Sequence, residues 1–386
     1  MNTSNVANDI ATPAPGAPIL IRGTNSEDLL QGGAGDHIID AGAGDDYLHD
    51  EQGNNQLLGG TGNDTIVGSG VINGGPGDDV ISAAGDGRGN VYQYAIGDGF
   101  DTISVVGDHP DPSGQGILQL GQGIAPASID LVRDDNHLSL YMGANSQVTL
   151  LDWFKGAAHQ LRQIVFADGT VWGQPDIAGM DITVLGTEQD DVIPGFCGNN
   201  LIHAGAGDDY VSDGLGNNII YGGLGSDILM GRGVLDGGLG DDTLVAMGDA
   251  EHNVYFFDAG DGRDTLQAHG DGNPGRPQGT VAFGETLDTH RLWFRRQDND
   301  LAVNVVGSRE GMTIKDWYRD IPNQVARFMS GDDKILSHDK VDALVAAMSV
   351  FPAPLDGGAP LDAALSQALT PALAASWSDV GTTGPA

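Results

Sequence analysis

Ten aspartates stand in two matching series: Asp28, Asp46, Asp64, Asp79 and Asp101, then Asp191, Asp209, Asp227, Asp242 and Asp264, each spaced 18, 18, 15 and 22 residues apart. One side-chain type repeated at such distances can be stacked by the fold, rung upon rung. Carboxylates stacked about 5 Å apart repel by roughly 3 kcal/mol per neighbouring pair at an effective dielectric near 20. Aspartate also caps turns through the backbone, but repulsion of that size calls for a compensating charge. Calcium, a hard cation that surrounds itself with oxygen ligands, supplies one.

The elements that must position these aspartates follow a nine-residue beat. From Gly23 the chain divides into GTNSEDLLQ, GGAGDHIID, AGAGDDYLH, DEQGNNQLL and GGTGNDTIV, then a six-residue GSGVIN, then GGPGDDVIS. The series returns from Gly186 in the same order, including the short unit GRGVLD at 231–236. AGAGDDY occurs at both 41–47 and 204–210, and residues 23–104 match 186–267 at 40 of 82 positions, with a constant offset of 163. A whole domain is duplicated in tandem. Each unit reads G-G-x-G-x-D-x-U-x, with an aliphatic U: Leu30, Ile39, Leu48, Leu57, Ile66, Ile72 and Ile81, then Ile193, Ile202, Val211, Ile220, Leu229, Leu235 and Leu244. Glycine permits tight turns, and x-U-x is a minimal strand whose middle side chain points inward. Two units make one coil of a flattened parallel solenoid, with turns on two opposite flanks.

This pattern resembles the RTX family, whose glycine-aspartate nonapeptides wind into a calcium-binding parallel β-roll. The fold class expected is all-β: two tandem parallel β-rolls, each followed by a small antiparallel β cap, with a short helical C-terminal tail. The resemblance implies that turn carbonyls and the sixth-position Asp of stacked turns clasp Ca²⁺ between them. The carbonyls implied are those of Gly42, Gly44, Gly60, Gly62, Gly75 and Gly77 in the first module. In the second they are those of Gly205, Gly207, Gly223, Gly225, Gly238 and Gly240.

Alternate units lie on opposite flanks, so the sixth position is read by parity. Odd units give Asp28, Asp46, Asp64 and Asp79, and Asp191, Asp209, Asp227 and Asp242. Even units give His37 and Asn55, and Asn200 and Asn218, with the short unit lacking a sixth residue. Asp101 and Asp264, in IGDGFDTIS and AGDGRDTLQ, join the Asp flank if the segment before them makes one half-coil. Three or four Ca²⁺ per module are expected on that flank. The opposite flank needs none: its Asn turns can stack as neutral amide ladders, and His37 reads as a polar filler rather than a zinc ligand. Fifth-position acids such as Asp45 and Asp208 read as solvated surface charge.

Composition narrows the partners. With 54 acidic against 17 basic side chains the formal net charge is −37, which disfavours nucleic acid and anionic membrane surfaces. No apolar run reaches the length of a membrane span, and the single Cys197 excludes an intramolecular disulfide and a Cys-based zinc site. H-E-x-x-H, G-x-S-x-G and P-loop patterns are missing; one G-x-G-x-x-G, at 270–275, contains Pro274 and reads as a loop. The chain therefore reads as non-enzymatic.

After each roll, alternating strands take over: HLSLYM, QVTLLDWF and QIVFADGTVW, then DLAVNVV, MTIKDWY and VARFMSGDDKIL. They resemble the small β domain that follows RTX rolls in haemolysin-type calcium-binding proteins, and Trp153 and Trp317 read as cap core. The expected division is a leader (1–20), roll (21–104), cap (105–175), linker (176–185), second roll (186–267), second cap (268–337) and helical tail (338–386). In the tail Val341, Leu344, Val345 and Met348 share a helical face, with Asp339 as N-cap. The N-terminus lacks Lys and Arg before Arg22, and no basic residue follows Lys340. The tail resembles the uncleaved export signals of type I secreted RTX proteins. The function expected is a secreted calcium-binding protein that folds on meeting extracellular calcium, with a type I exporter as partner. Alternatives are an adhesin or matrix protein whose caps bind surface glycans, and a non-catalytic carrier related to an RTX toxin or secreted hydrolase.

Overall fold

A computed structural model of the chain describes residues 17–83, 89–105, 115–248, 250–268, 276–355 and 361–380. The chain forms two compact units, Met1–Ile182 and Thr183–Ala386. The 270–275 motif and the first sixteen residues of the expected leader lie outside the described residues.

In the first unit the chain crosses back and forth between two columns of parallel strands. One column holds Leu29–Gln31, then stretches beginning at Tyr47, Thr65 and Val80, then Phe100–Ser104, paired through Leu29↔Tyr47, Tyr47↔Thr65, Thr65↔Val80 and Val80↔Thr102. The other column runs through Ile19↔His37, Ile38↔Gln56, Gln56↔Val71 and Val71↔Val91. Ile19–Arg22 is thus already a strand of the roll, inside the segment expected to be leader. The second unit repeats the scheme, with Val192↔Tyr210, Tyr210↔Ile228, Ile228↔Thr243 and Thr243↔Thr265 in one column. Its other column begins at Thr183–Leu185, within the expected linker, paired with Leu201–Ala206. All fourteen aliphatic U residues are buried, none more than 5% exposed. A period of two along each short strand puts the U side chain between the columns and its neighbours outside.

The segment after each roll continues both columns. Gln147–Leu150 pairs in parallel with Phe100–Ser104, Gln115–Leu120 with Val91–Tyr94, and Leu161–Val165 with Gln115–Leu120. Onto this base are laid antiparallel pairs: Asp130–Asp134 with His137–Tyr141, His137–Tyr141 with Gln147–Leu150, and Leu161–Val165 with Val171–Gly173. In the second unit Gly311–Ile314 and Arg327–Met329 extend the columns in the same way. An open solenoid end exposes a row of unpaired N–H and C=O groups, and this graft satisfies them. Trp153 and Trp317 are buried in these caps, each with its carbonyl accepting from a glutamine side chain at 3.1 Å, Gln160 and Gln324 respectively.

The tail is docked on the second unit. Helix His338–Met348 buries Val341, Leu344 and Met348, with Val345 half-buried. Its N-cap is Ser337; Asp339, expected there, lies inside the first turn, where a carboxylate still favours the positive end of the helix dipole. A second helix, Ala363–Ser376, is capped by Asp362 Oδ1 accepting from Leu365 N at 2.8 Å. It leads into the strand Trp377–Asp379, which pairs antiparallel with Lys334–Ser337. The Trp377 ring packs edge-on against Phe294 with centroids 6.0 Å apart. No described helix is long and apolar enough to cross a membrane.

Candidate metal centres

The two aspartate series form two continuous ladders. Backbone N–H of Asp28 donates to Asp46 Oδ1 at 2.7 Å, Asp46 to Asp64 at 2.8 Å, Asp64 to Asp79 at 2.7 Å, and Asp79 to Asp101 at 3.2 Å. The second unit repeats this from Asp191 through Asp209, Asp227 and Asp242 to Asp264, at 2.8, 2.8, 2.8 and 3.1 Å. The strand Val91–Tyr94 occupies the other column between Val80–Ala83 and Phe100–Ser104. That half-coil brings Asp101 into line.

From the second rung on, one carboxylate oxygen is thereby used as a turn cap, and in seven rungs the other has no such task. Oδ2 of Asp46, Asp64, Asp79, Asp209, Asp227, Asp242 and Asp264 is buried without a hydrogen-bond partner. A buried polar group left unpaired is costly, and an unpaired charge far more so. Burial pushes the ladder's carboxyls up: Asp64 to about 6, Asp79 to about 7 and Asp101 to about 8, with the neighbouring rung's charge adding to the rise. In the second unit burial drives Asp209 to about 6, Asp242 to about 7 and Asp264 to about 9.

Glycine shapes the space around each orphan oxygen. A Cβ on Gly59 would stand 2.3 Å from Asp64 Oδ2, and one on Gly74 would stand 2.0 Å from Asp79 Oδ2. The unit's first glycine thus makes room for its own aspartate. The second and fourth glycines let the coils stack: a Cβ on Gly60 would lie 2.0 Å from Gly42 O, and one on Gly62 would lie 2.3 Å from Gly44 O. Both have positive φ, 113° and 124°. The same close approach recurs at Gly75 over Gly60, Gly77 over Gly62, Gly223 over Gly205, Gly225 over Gly207, Gly238 over Gly223 and Gly240 over Gly225. Among the described residues no three His, Cys, Asp or Glu side chains cluster around one point. A cation here would draw on a carboxylate and on turn carbonyls, a donor set of oxygens alone. That suits calcium and not zinc.

The opposite flank carries no carboxylate at its sixth positions, as parity predicts. Asn55 Oδ1 accepts from His37 N at 3.0 Å and Asn218 Oδ1 from Asn200 N at 2.9 Å, an amide ladder whose Nδ2 groups donate to turn carbonyls. It continues through Asn90 and Asn253, which accept from Gly70 N and Gly233 N at 2.9 Å. Periodicity missed both, because the segment holding them breaks the nine-residue beat; their identity at the 163-residue offset was the available clue. Asp50 and Asp213 were missed too. Each replaces a unit's first glycine, and each is buried. Asp213 Oδ2 accepts from Asn200 Nδ2 at 2.9 Å, whereas Asp50 Oδ2 lies 2.9 Å from His37 Nδ1. Asp45 and Asp208 are surface residues, but each also accepts a backbone N–H from the next coil, of Asn63 and Ser226, at 2.8 Å.

A family model described as RTX calcium-binding nonapeptide repeat (4 copies) matches residues 22–56, 49–70, 71–87 and 194–229. Another, described as haemolysin-type calcium binding protein related domain, matches 143–176. Among solved structures the chain is similar to the extracellular lipase LipA from Serratia marcescens, at 18% identity and a TM-score of 0.21, over 80% of this chain and 39% of that chain. The chain spans about two fifths of that lipase's length, and a likeness at this score carries no weight for fold or activity. The chain carries RTX calcium-binding nonapeptide repeats in both of its units and a haemolysin-type calcium binding protein related domain in the first.

Proposed function

We propose that this is a secreted, non-catalytic calcium-binding protein whose rolls fold when they meet extracellular calcium. The observation that carries the reading is the row of buried, partnerless Oδ2 atoms along each Asp flank. Calcium held by Asp46, Asp64 and Asp79, and by Asp209, Asp227, Asp242 and Asp264, with the stacked turn carbonyls, would give those oxygens a partner, and Asp101 stands in line to join the first set. It would also offset part of the net charge of −37. Extracellular calcium modules bind at about 10⁻⁴–10⁻³ M, so the chain would stay unfolded at cytosolic calcium and be exportable. Residues 338–386 serve in this reading as the signal for a type I exporter.

Circular dichroism of the chelator-treated chain during calcium titration tests the folding step. A disordered spectrum that converts to β-sheet at submillimolar to millimolar calcium supports it; full β-sheet signal in excess chelator overturns it. Export is tested by grafting residues 338–386 onto an unrelated passenger: release to the medium that depends on the exporter supports the reading, and retention refutes it. Trp153 and Trp317 are buried, so neither offers a stacking platform to a glycan.

A further inference from the structure

The first turn of each roll departs from every later one. It reads GTNSED at 23–28 and GTEQDD at 186–191, with Thr and then Ser or Gln where the repeat has its second and fourth glycines. Gly42, Gly60 and Gly75 at the second position have φ of 107°, 113° and 99°, while Thr24 and Thr187 are not among the positive-φ residues. The first turns therefore follow a different backbone path from the glycine turns stacked on them.

Their aspartates are also differently engaged. Asp28 Oδ2 accepts from Thr24 N at 2.6 Å and Thr24 Oγ1 at 2.9 Å. Asp191 Oδ2 accepts from Thr187 N and Oγ1 at the same two distances. The threonine hydroxyl in turn accepts the N–H two residues on, Ser26 at 3.2 Å and Gln189 at 3.1 Å. This oxygen is the one that seven later rungs leave without a partner. In the first module the orphan is instead Asp28 Oδ1, the oxygen that in later rungs accepts the N–H of the preceding coil's aspartate. Among the described residues no coil precedes Asp28 in the ladder, so that oxygen faces the end of the described stack and not a gap between coils.

We propose that Thr24–Asp28 and Thr187–Asp191 are calcium-independent end turns that start each roll. The ions then occupy three gaps per module: Asp46–Asp64, Asp64–Asp79 and Asp79–Asp101, with Asp209–Asp227, Asp227–Asp242 and Asp242–Asp264 in the second. The threonine supplies two donors to the carboxylate that elsewhere awaits a cation, so a hydroxyl and an N–H do at the end turn what calcium does within the stack. The inference rests on the calcium reading above and removes Asp28 and Asp191 from the ligand set.

The test is calcium stoichiometry on the full chain, stripped with chelator and titrated calorimetrically with calcium chloride, in wild type and in Asp28→Asn/Asp191→Asn. Asparagine keeps an oxygen to accept from the threonine, so the end turn can still close. Six ions in both proteins, with unchanged affinity, is the expected result. More than six ions in the wild type, or fewer in the variant than in the wild type, overturns the proposal; the wild-type count decides even if the variant does not fold. A wild-type chain that binds no calcium would instead refute the calcium reading on which the inference rests.

Discussion

The backbone N–H of Asp64 donates to Oδ1 of Asp79 at 2.7 Å while Oδ2 of both residues stays buried and unpartnered. One carboxylate thus performs two tasks. Its first oxygen fixes the register of the coils, and its second leaves a charge that the protein alone does not compensate.

The first consequence is a pH dependence of the calcium-free state. Asp79, Asp101 and Asp264 are raised, mainly by burial, to about 7, about 8 and about 9 from an unfolded value of 3.8. A raised folded pKa means the folded state binds more protons, so its contribution to stability is fully present below the unfolded value. That contribution is lost as pH rises through the folded one. Chelator-treated protein should therefore gain β-sheet signal on acidification from pH 9 toward pH 5, read by circular dichroism. A loss of signal over that range would contradict the ladder.

Substitutions on the two flanks should separate. Asp64 borders two gaps and Asn55 none, so Asp64→Ala should lower calcium affinity by more than ~10-fold, the lower end of what loss of an outer-shell partner costs. Asn55→Ala should cost about 1 kcal/mol of stability from its hydrogen bonds to His37 N and Gln52 O, and leave the calcium isotherm unchanged. Equal losses of affinity would refute the assignment of flanks.

His37 and Asp50 offer a test of the neutral flank. Nδ1 and Oδ2 lie 2.9 Å apart, and neither has any other partner. His37→Ala would leave Asp50 Oδ2 buried without a partner, at a cost of about 1–3 kcal/mol. His37→Asn should restore most of that, because Asn200 holds Asp213 in this way in the second unit. Denaturant unfolding of the calcium-loaded protein measures both; an alanine variant as stable as wild type would show that the pair contributes nothing.

The docked tail makes a local prediction. Trp377→Ala removes a ring packed on Phe294 and should destabilise the second unit by about 3–5 kcal/mol. Hydrogen exchange should quicken in Lys334–Ser337 and its neighbours and stay unchanged in the first unit. Uniform quickening across both units would show that the tail stabilises the whole chain.

Much of this was legible in the sequence, because a side chain's place in a nine-residue unit decides whether it faces inward, caps a turn or meets solvent. The buried row from Leu30 to Leu244 and the charged and neutral flanks follow from that period alone. The period is lost between Ala83 and Ile96, and there only the pairing of Val91–Tyr94 with the short unit decided that Asp101 joins the ladder. The closure of Thr24 on Asp28 and the pairing of His37 with Asp50 were hidden for a related reason. Both depend on where a side-chain oxygen points once the coils are stacked, and the repeat pattern does not encode that direction. The caps looked like separate β domains because their alternation is local, whereas the parallel pairing of Gln147–Leu150 with Phe100–Ser104 joins segments more than forty residues apart. The tail's helices were readable from apolar spacing, but only the tertiary structure decided that Trp377–Asp379 closes on Lys334–Ser337. That strand is too short to hold its conformation alone and is fixed by the sheet edge and aromatic core it covers.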